Sequence, residues 1–420
     1  MVAAALPVLI GFETLGVETG LWYMIKRQNQ SAADAAAIAA EHEILAGKTD
    51  VAADLSPAAS EAAARNGYAG VPPQVVYPYS DNIVTNGVAV YLKQSQRGLF
   101  GSIFLPGVTI ASKAVAVLGV LDDVCVLALS TSGTGVEVDS ASQLDAAGCA
   151  VAANSTSQSA IDIRSSTGLL SAATLVTSGE ISLHGVPIDP TAPPPEFSPT
   201  PRMLIGAPSS ADLSANTLTH AFLSNQIPAT ATAINSWSEG TWAVVPGHYS
   251  GGMSVGQNAR VDLTPGVYYV TEGDFSIASS ATVTCRSCSG ANGVTIILTS
   301  TGASPAAIGN VQIASGATVT LRAPSSGTFS GLLFAQDPLA TPASGNAPDN
   351  VLAGGSTMNL TGLLYFPTTK VRFRGNPSAT CTLLIASRVL TNGTAGFAAS
   401  DCAGAGLSGR PAVYTAVLVE

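Results

Sequence analysis

Residues 1–25 read MVAAALPVLIGFETLGVETGLWYMI, and residues 26–45 continue without a break as KRQNQSAADAAAIAAEHEIL. Roughly 20 helical residues at about 1.5 Å each cover roughly 30 Å of hydrocarbon. Ala3 to Ile25 meets that length. The stretch therefore predicts a transmembrane helix that runs on into an Ala-rich stalk. Its anchoring side chains are Leu6, Pro7, Leu9, Ile10, Phe12, Leu15, Leu21, Trp22 and Tyr23, and Trp22 and Tyr23 form the aromatic belt at its exit. Glu13 and Glu18 interrupt the run, and each costs about 2.5–3.5 kcal/mol near the midplane. Either both lie near the outer interface or they contact a partner helix. A cleaved signal peptide fits poorly, because no basic segment precedes the apolar run and no A-x-A site closes it.

Orientation is a point of conflict. Lys26 and Arg27 follow the apolar run and no basic residue precedes it, which by the positive-inside rule leaves the long C-terminal part in the cytoplasm. Cysteine usage and composition argue for the outside. The expectation that reconciles them is a short basic leader upstream of the present start.

Charged residues make up only 10% of the 420 residues, and the net charge is −10. The 17 Lys and Arg are too few and too scattered for a nucleic-acid surface. An apolar content of 46% argues against disorder. High Gly, Ser, Thr, Ala and Val with few aromatics suits a long β-rich protein. Six cysteines lie outside the first helix: Cys125, Cys149, Cys285, Cys288, Cys381 and Cys402. The simplest pairing joins neighbours, Cys125–Cys149, Cys285–Cys288 and Cys381–Cys402, although six cysteines allow 15 connectivities. Structural disulfides imply an oxidising compartment. The C-x-x-C spacing at Cys285 and Cys288 also matches a redox or zinc half-site. Zinc would need a second half, and no histidine follows His248. A thioredoxin-type motif would need a helix start, and this one lies between two strand-like runs.

Ser31 to Ala46 extends the first helix, with a capping-box-like restart at Ser31 to Asp34. Ser56 to Asn66 reads as a second helix, capped by Ser56, with Pro57 in its first turn and Gly67 at its end. Gly87 to Leu92 and Val108 to Leu118 read as strands, and Gln96 to Phe104 as a helical turn between them. From Val124 short β runs take over. Pro187 to Pro201 (PIDPTAPPPEFSPTP) reads as an extended linker, and Ser209 to Asn225 as helical. The expected segments are 1–46 (anchor and stalk), 47–122 (small α+β unit), 123–186 (first β-rich segment), 187–240 (Pro-rich linker and short helix) and 241–420.

The last segment repeats itself. Pro246-Gly-His-Tyr249 returns as Pro265-Gly-Val-Tyr268, and Gly331-Leu-Leu-Phe334 as Gly362-Leu-Leu-Tyr365. Four- to six-residue strands split by Ser/Gly/Asn turns lie between them. Repeats of about 20 residues with tight corners suit a parallel β-helix or solenoid, in which each turn covers its neighbour's apolar face; a β-sandwich is the alternative. The fold class expected is α+β, mainly β: a long pilin-like helix, a small α+β unit and a β-solenoid-like domain.

Leu6-Pro7, Gly20-Leu-Trp-Tyr23, Lys26-Arg27 and Ala32-Ala-Asp-Ala-Ala-Ala37 together resemble the N-terminal pattern of TadG-like proteins of the bacterial Flp (tight adherence, Tad) pilus system. Glu18 stands where that pattern usually has Asp. The runs PGVYYV, GVTIILT, GLLFAQDP and GLLYFP are similar to the β-rich part of those members that lack a von Willebrand A domain. The resemblance implies a non-enzymatic, pilin-like component of pilus assembly, single-pass in a bacterial inner membrane, with its C-terminal part in the periplasm or at the cell surface. Its implied partners are the membrane and other Tad machinery or pilin-like proteins, reached through the N-terminal helix. Gly11 and Gly16 do not place an acid at the fifth mature position, so no prepilin-peptidase site is expected.

A glycan-active enzyme on a β-helix, a polysaccharide lyase or hydrolase, needs clustered acids, or acids with Arg and Lys, on one face, and between Phe275 and Ser400 the only acids are Asp337 and Asp349. Gly252-Met-Ser254-Val-Gly256 matches G-x-S-x-G but lacks the following helix and downstream His. The four histidines form no metal-binding spacing. No catalytic, cofactor or metal site is expected. Lys370, Arg372 and Arg374 alternate and so share one strand face, with Val371 and Phe373 inward. That face reads as a solvated basic edge or as a contact for a partner or surface glycan, the latter fitting an adhesin-like module.

Overall fold

The computed structural model describes residues 2–82, 84–97, 107–139, 141–302, 308–345, 349–355, 358–376, 378, 380–407 and 412–419, with side chains from Gly16 onward. Strand outweighs helix, 45% against 13%, so the protein is mainly β. The chain divides into two units. The first is Met1–Leu121 with Tyr414–Glu420, and the second is Asp122–Val413.

Unit one is organised by α1 (Val2–Leu45). Ala32, Ala33, Ala36, Ala37 and Ala40 recur at helical spacing and are fully buried. Alanine ends at Cβ, so the helix can approach a sheet closely. That sheet is antiparallel: β1 (Gln74–Tyr79), β2 (Gly87–Gln96) and the first part of β3 (Val108–Ala128). Val88, Val90 and Leu92 alternate along β2 and meet the alanine stripe beside Ala114 and Ala116 of β3. Polar side chains fix the helix edges. Lys26 Nζ donates to the Ala111 carbonyl and to Ser112 Oγ, and Gln30 Nε2 donates to the Lys113 carbonyl at 2.8 Å.

These contacts bear on the membrane expectation. Among the described residues no helix is long and apolar enough to cross a membrane. From Gly16, where side chains are first described, to Lys26 the helix rises only about 15 Å, half a hydrocarbon core. Lys26 then bonds within the unit, and Asn29 and the alanines beyond it pack into protein. The placement as a single-pass inner-membrane protein is therefore withdrawn. The side chains of Leu6, Pro7, Leu9, Ile10, Phe12, Glu13 and Leu15 lie outside the described residues.

Other local expectations also change. α1 does not restart at Ser31; Asp34 instead accepts from Gln30 Nε2 at 3.0 Å. The second helix, α2 (Ser56–Arg65), follows a π-helical turn, Val51–Leu55. Ser56 does not cap it: the cap position falls to Leu55, which makes no side-chain hydrogen bond. The side-chain cap sits at the start of the π-helical turn, where the Asp50 carboxylate accepts from the N–H groups of Ala52 and Ala53, both at 2.8 Å. β2 extends to Gln96, and the rest of the expected helical turn, residues 98–104, lies outside the described residues.

Unit two is a set of parallel ladders. One row of paired residues runs His248, Tyr269, Ile297, Ala335, Tyr365, Ile385, Leu127, Ala152, Val176 and Leu204. A second runs Ser236, Ser254, Ser276, Gln312, Val351, Arg372, Leu390, Glu137, Asp162 and Ser182. From Ser236–Trp237 to Thr318–Arg322 each strand pairs with the third strand after it. The sequence repeats become neighbouring strands, as where Leu332 faces Leu363 and Tyr249 stacks on Tyr268 with ring centroids 5.9 Å apart.

Both rows contain one discontinuity of sequence. The strand Cys381–Gly396 pairs with the end of β3 through Leu384↔Val126, Ile385↔Leu127 and Ala386↔Ala128. Chain segments more than 250 residues apart thus meet in the middle of the ladders. One half proceeds from β3 to Ile205; the other begins at Ser236 and returns to the junction.

A segment between the halves connects their far ends. Residues 187–205 are not an extended linker, because Phe197 bridges Leu170 and Arg202–Ile205 pairs with Leu169–Thr177. In 206–235 only His220–Ser224 is helical. This strap is fastened at successive points along the ladders. Ser210 and Asn154 exchange hydrogen bonds of 2.8 and 2.9 Å, and Tyr365 donates to Asp212 at 2.9 Å. His220 Nδ1 donates to Asp337 at 2.6 Å, and Thr232 N–H donates to the His248 carbonyl at 2.7 Å.

Three disulfides join Cys125–Cys149, Cys285–Cys288 and Cys381–Cys402. Cys125–Cys149 joins β3 to its parallel neighbour Gln143–Ala153, and Cys381–Cys402 ties the start of the strand Cys381–Gly396 to a following turn. Replacing Cys125 and Cys149 by alanine is expected to cost about 3 kcal/mol, given the 24-residue separation. Replacing Cys285 and Cys288, only 3 apart, should cost about half as much. Urea unfolding of the two double variants checks the order; equal losses would contradict a chain-entropy origin.

Candidate functional site

A cluster of charged side chains in unit two lies where the halves meet. On the N-terminal side the strands Val136–Val138 and Ile161–Ile163 are parallel, which sets Glu137 beside Asp162 on the outward face. Arg164 follows the second strand; its Nη2 lies 2.8 Å from Glu137 Oε2 and its Nε 3.1 Å from Asp162 Oδ2. On the C-terminal side Arg388 pairs across the ladder with Lys370. Glu137, Arg164, Lys370 and Arg388, together with Thr134, Val389 and Leu390, line a cleft of about 240 Å³.

Each charge has a distinct status. Arg388 Nη2 donates to the Ser132 carbonyl at 2.9 Å, and among the described residues it has no acidic partner. Gly133 lets it lie there. This glycine has φ +67°, and a Cβ on it would come within 2.8 Å of Arg388 Nη2. Burial pushes the Glu137 carboxyl above its ordinary range, and nearby Asp139 and Asp162 add to that push while Arg164 opposes it. The cleft therefore presents one guanidinium without an acidic partner, an ion-paired guanidinium, an ammonium held by carbonyls and a carboxyl whose ionisation burial opposes. It can hold a group carrying both a negative charge and hydroxyls.

The basic strand face expected at Lys370, Arg372 and Arg374 is not one solvated row. Lys370 is 7% exposed. Its Nζ donates to the carbonyls of Ala343 and Gly345 at 2.9 and 2.7 Å, and its backbone N–H donates to Asp349 Oδ2 at 2.8 Å. A loop closes over it, so the alternation gave the face correctly and its solvation wrongly. Arg372 is half-buried and faces outward in the second ladder row; Arg374 is exposed and lies against Gly393. Of the three, only Lys370 reaches the cleft. Arg388, Glu137 and Arg164 were not singled out by sequence, because their proximity depends on a junction between distant segments.

The remaining expected sites lie elsewhere. Glu18 is buried at 2% exposure, Trp22 is half-buried, and Leu21 and Tyr23 are exposed. Asp337 and Asp349 are both buried and engaged in hydrogen bonds that hold loops, as acceptors from His220 and Lys370. Ser254 of the G-x-S-x-G string sits mid-strand in Met253–Val255.

No family profile, no curated protein and no solved structure matches this chain.

Proposed function

We propose that the protein is a non-enzymatic, pilin-like structural component of a Tad (Flp) pilus system, working outside the cytoplasm. The observation that carries this reading is the alanine stripe of α1, from Ala32 to Ala40, laid on the short antiparallel sheet β1–β2–β3. A helix held this way presents a long element to neighbours in an assembly. The N-terminal sequence pattern supports the same reading. Three disulfides in a chain without free cysteines favour an oxidising compartment.

On this reading the parallel ladders of unit two are the faces of a β-solenoid. The third-strand pairing and the equivalence of repeated sequences in adjacent strands favour it over a sandwich, whose sheets are antiparallel. The solenoid is the displayed body of a minor pilin.

The test is to shear surface filaments from the source cells and follow the protein by immunoblot. It is expected in the filament fraction, or its deletion is expected to abolish filaments. A protein absent from filaments, in cells whose piliation survives its deletion, would end this reading.

A further inference from the structure

The charged cleft lies on a longer feature. The outward row of the second ladder passes through Leu390 and Glu137 at the cleft, and then through Arg372 to Val351, Gln312, Ser276 and Ser254. Those last four residues line a second, shallow trough of about 270 Å³. Both hollows thus sit on one straight line of side chains, stepped at about 4.8 Å per strand. Arg372, half-buried, stands between them.

The chemistry changes along the line. The trough is lined by hydroxyl, amide and small apolar groups, with no ionisable side chain. The cleft concentrates Arg388, Arg164 and Lys370 in a chain whose net charge is −10. A dense polyanion would be repelled by the chain as a whole, and beyond Arg372 the trough would offer it no cation. A neutral chain would leave Arg388 unmatched. A polymer with acidic units spaced by neutral ones satisfies both hollows.

We propose that this outward row is a binding groove for a linear acidic polysaccharide, with one carboxylate-bearing sugar unit seated in the cleft and neutral units in the trough. Arg388 takes the carboxylate. Its guanidinium spends one donor on the Ser132 carbonyl, and the fork retains others for a bidentate contact. Glu137, half-buried beside it, accepts from a ring hydroxyl, and Leu390 offers an apolar surface to the ring face. Lys370 supplies positive potential while its ammonium stays tied to the loop carbonyls. Gly133 is a positioning residue, because any side chain there displaces the guanidinium. The proposal stands apart from the pilus reading, since it rests on unit two alone.

The test applies the full-length chain to an array of glucuronate-, galacturonate- and sialate-containing oligosaccharides, printed beside their carboxyl methyl esters. Retention of one or more acid forms is expected, with the matching methyl ester about tenfold or more weaker. Arg388→Gln is expected to weaken binding by a similar factor with an unchanged thermal midpoint. Ser276→Trp, which fills the trough without touching the cleft, should weaken long oligosaccharides while sparing a single acidic sugar. If Arg388→Gln fails to fold, Arg388→Lys, which keeps the charge but loses the bidentate fork, carries the same test. The proposal is overturned if no acidic glycan is retained, if acids and esters bind equally, or if cleft variants bind as well as the parent.

Discussion

At pH 8 the variant Glu41→Gln is expected to be more stable than the parent chain, and the advantage should vanish below about pH 4.5. Glu41 lies on α1 in the core of unit one and is fully buried. Neither carboxylate oxygen has a hydrogen-bond partner of normal geometry among the described residues; the Val88 backbone N–H offers partial relief. Burial pushes the carboxyl up from 4.5 to about 7. The folded value is raised, so the folded state holds its proton more tightly than the unfolded chain does. Stability is therefore greatest below the unfolded value, falls as pH rises from 4.5 to about 7, and is flat above. The loss is on the order of 2–3 kcal/mol. Urea unfolding of parent and variant between pH 4 and 8 measures it. A difference between them that does not change with pH would refute the assignment.

The second large effect concerns the strap. Asp337 is fully buried and accepts from His220 Nδ1 and from Thr299 Oγ1, both at 2.6 Å, and from the Leu339 N–H at 2.9 Å. Asp337→Ala removes all three at once and leaves the donors of the ladder and the strap unmatched in a dry site. The expected loss is about 3–5 kcal/mol. His220→Ala removes a ring that is still 21% exposed and leaves the buried carboxylate with Thr299 and Leu339 as donors, so it should cost a substantial part of that loss. The pair should be strongly non-additive, with the double variant close to Asp337→Ala alone. Additive losses would mean that the two side chains act independently, and that the strap is held elsewhere.

What was legible in the sequence follows chain distance. The alanine periodicity of residues 32–40 and the alternation of Val88, Val90 and Leu92 express contacts within one element, so helix and strand could be read directly. The doubled Gly-Leu-Leu-aromatic runs at 331–334 and 362–365 are neighbouring strands, and repetition announced that neighbourhood. Nothing announced the pairing of Leu384 with Val126, because no local pattern encodes a partner more than 250 residues away. The cleft is built across that pairing, which is why Arg388 and Glu137 stayed invisible while Lys370, marked by simple alternation, did not. Length and apolarity alone assigned the first helix to a bilayer. They could not register that Lys26 would find acceptors, and Asn29 would be buried, within unit one. The Pro-rich stretch similarly looked unstructured by composition, yet Phe197 returns it to the sheet.

Unit one is interrupted by unit two in the chain and is closed by its last residues, where the Val419 N–H donates to the Val115 carbonyl at 3.0 Å. This sets an order of events on the ribosome. After Leu121 has emerged, the whole of Asp122–Val413 must be made before the closing segment exists. At about 5–20 residues per second, that interval is roughly 15–60 s. Throughout it, the β3 backbone at Val115 waits for a partner still to be translated. A nascent chain stalled anywhere in unit two would leave unit one unfinished, however early its own helix and hairpin had formed.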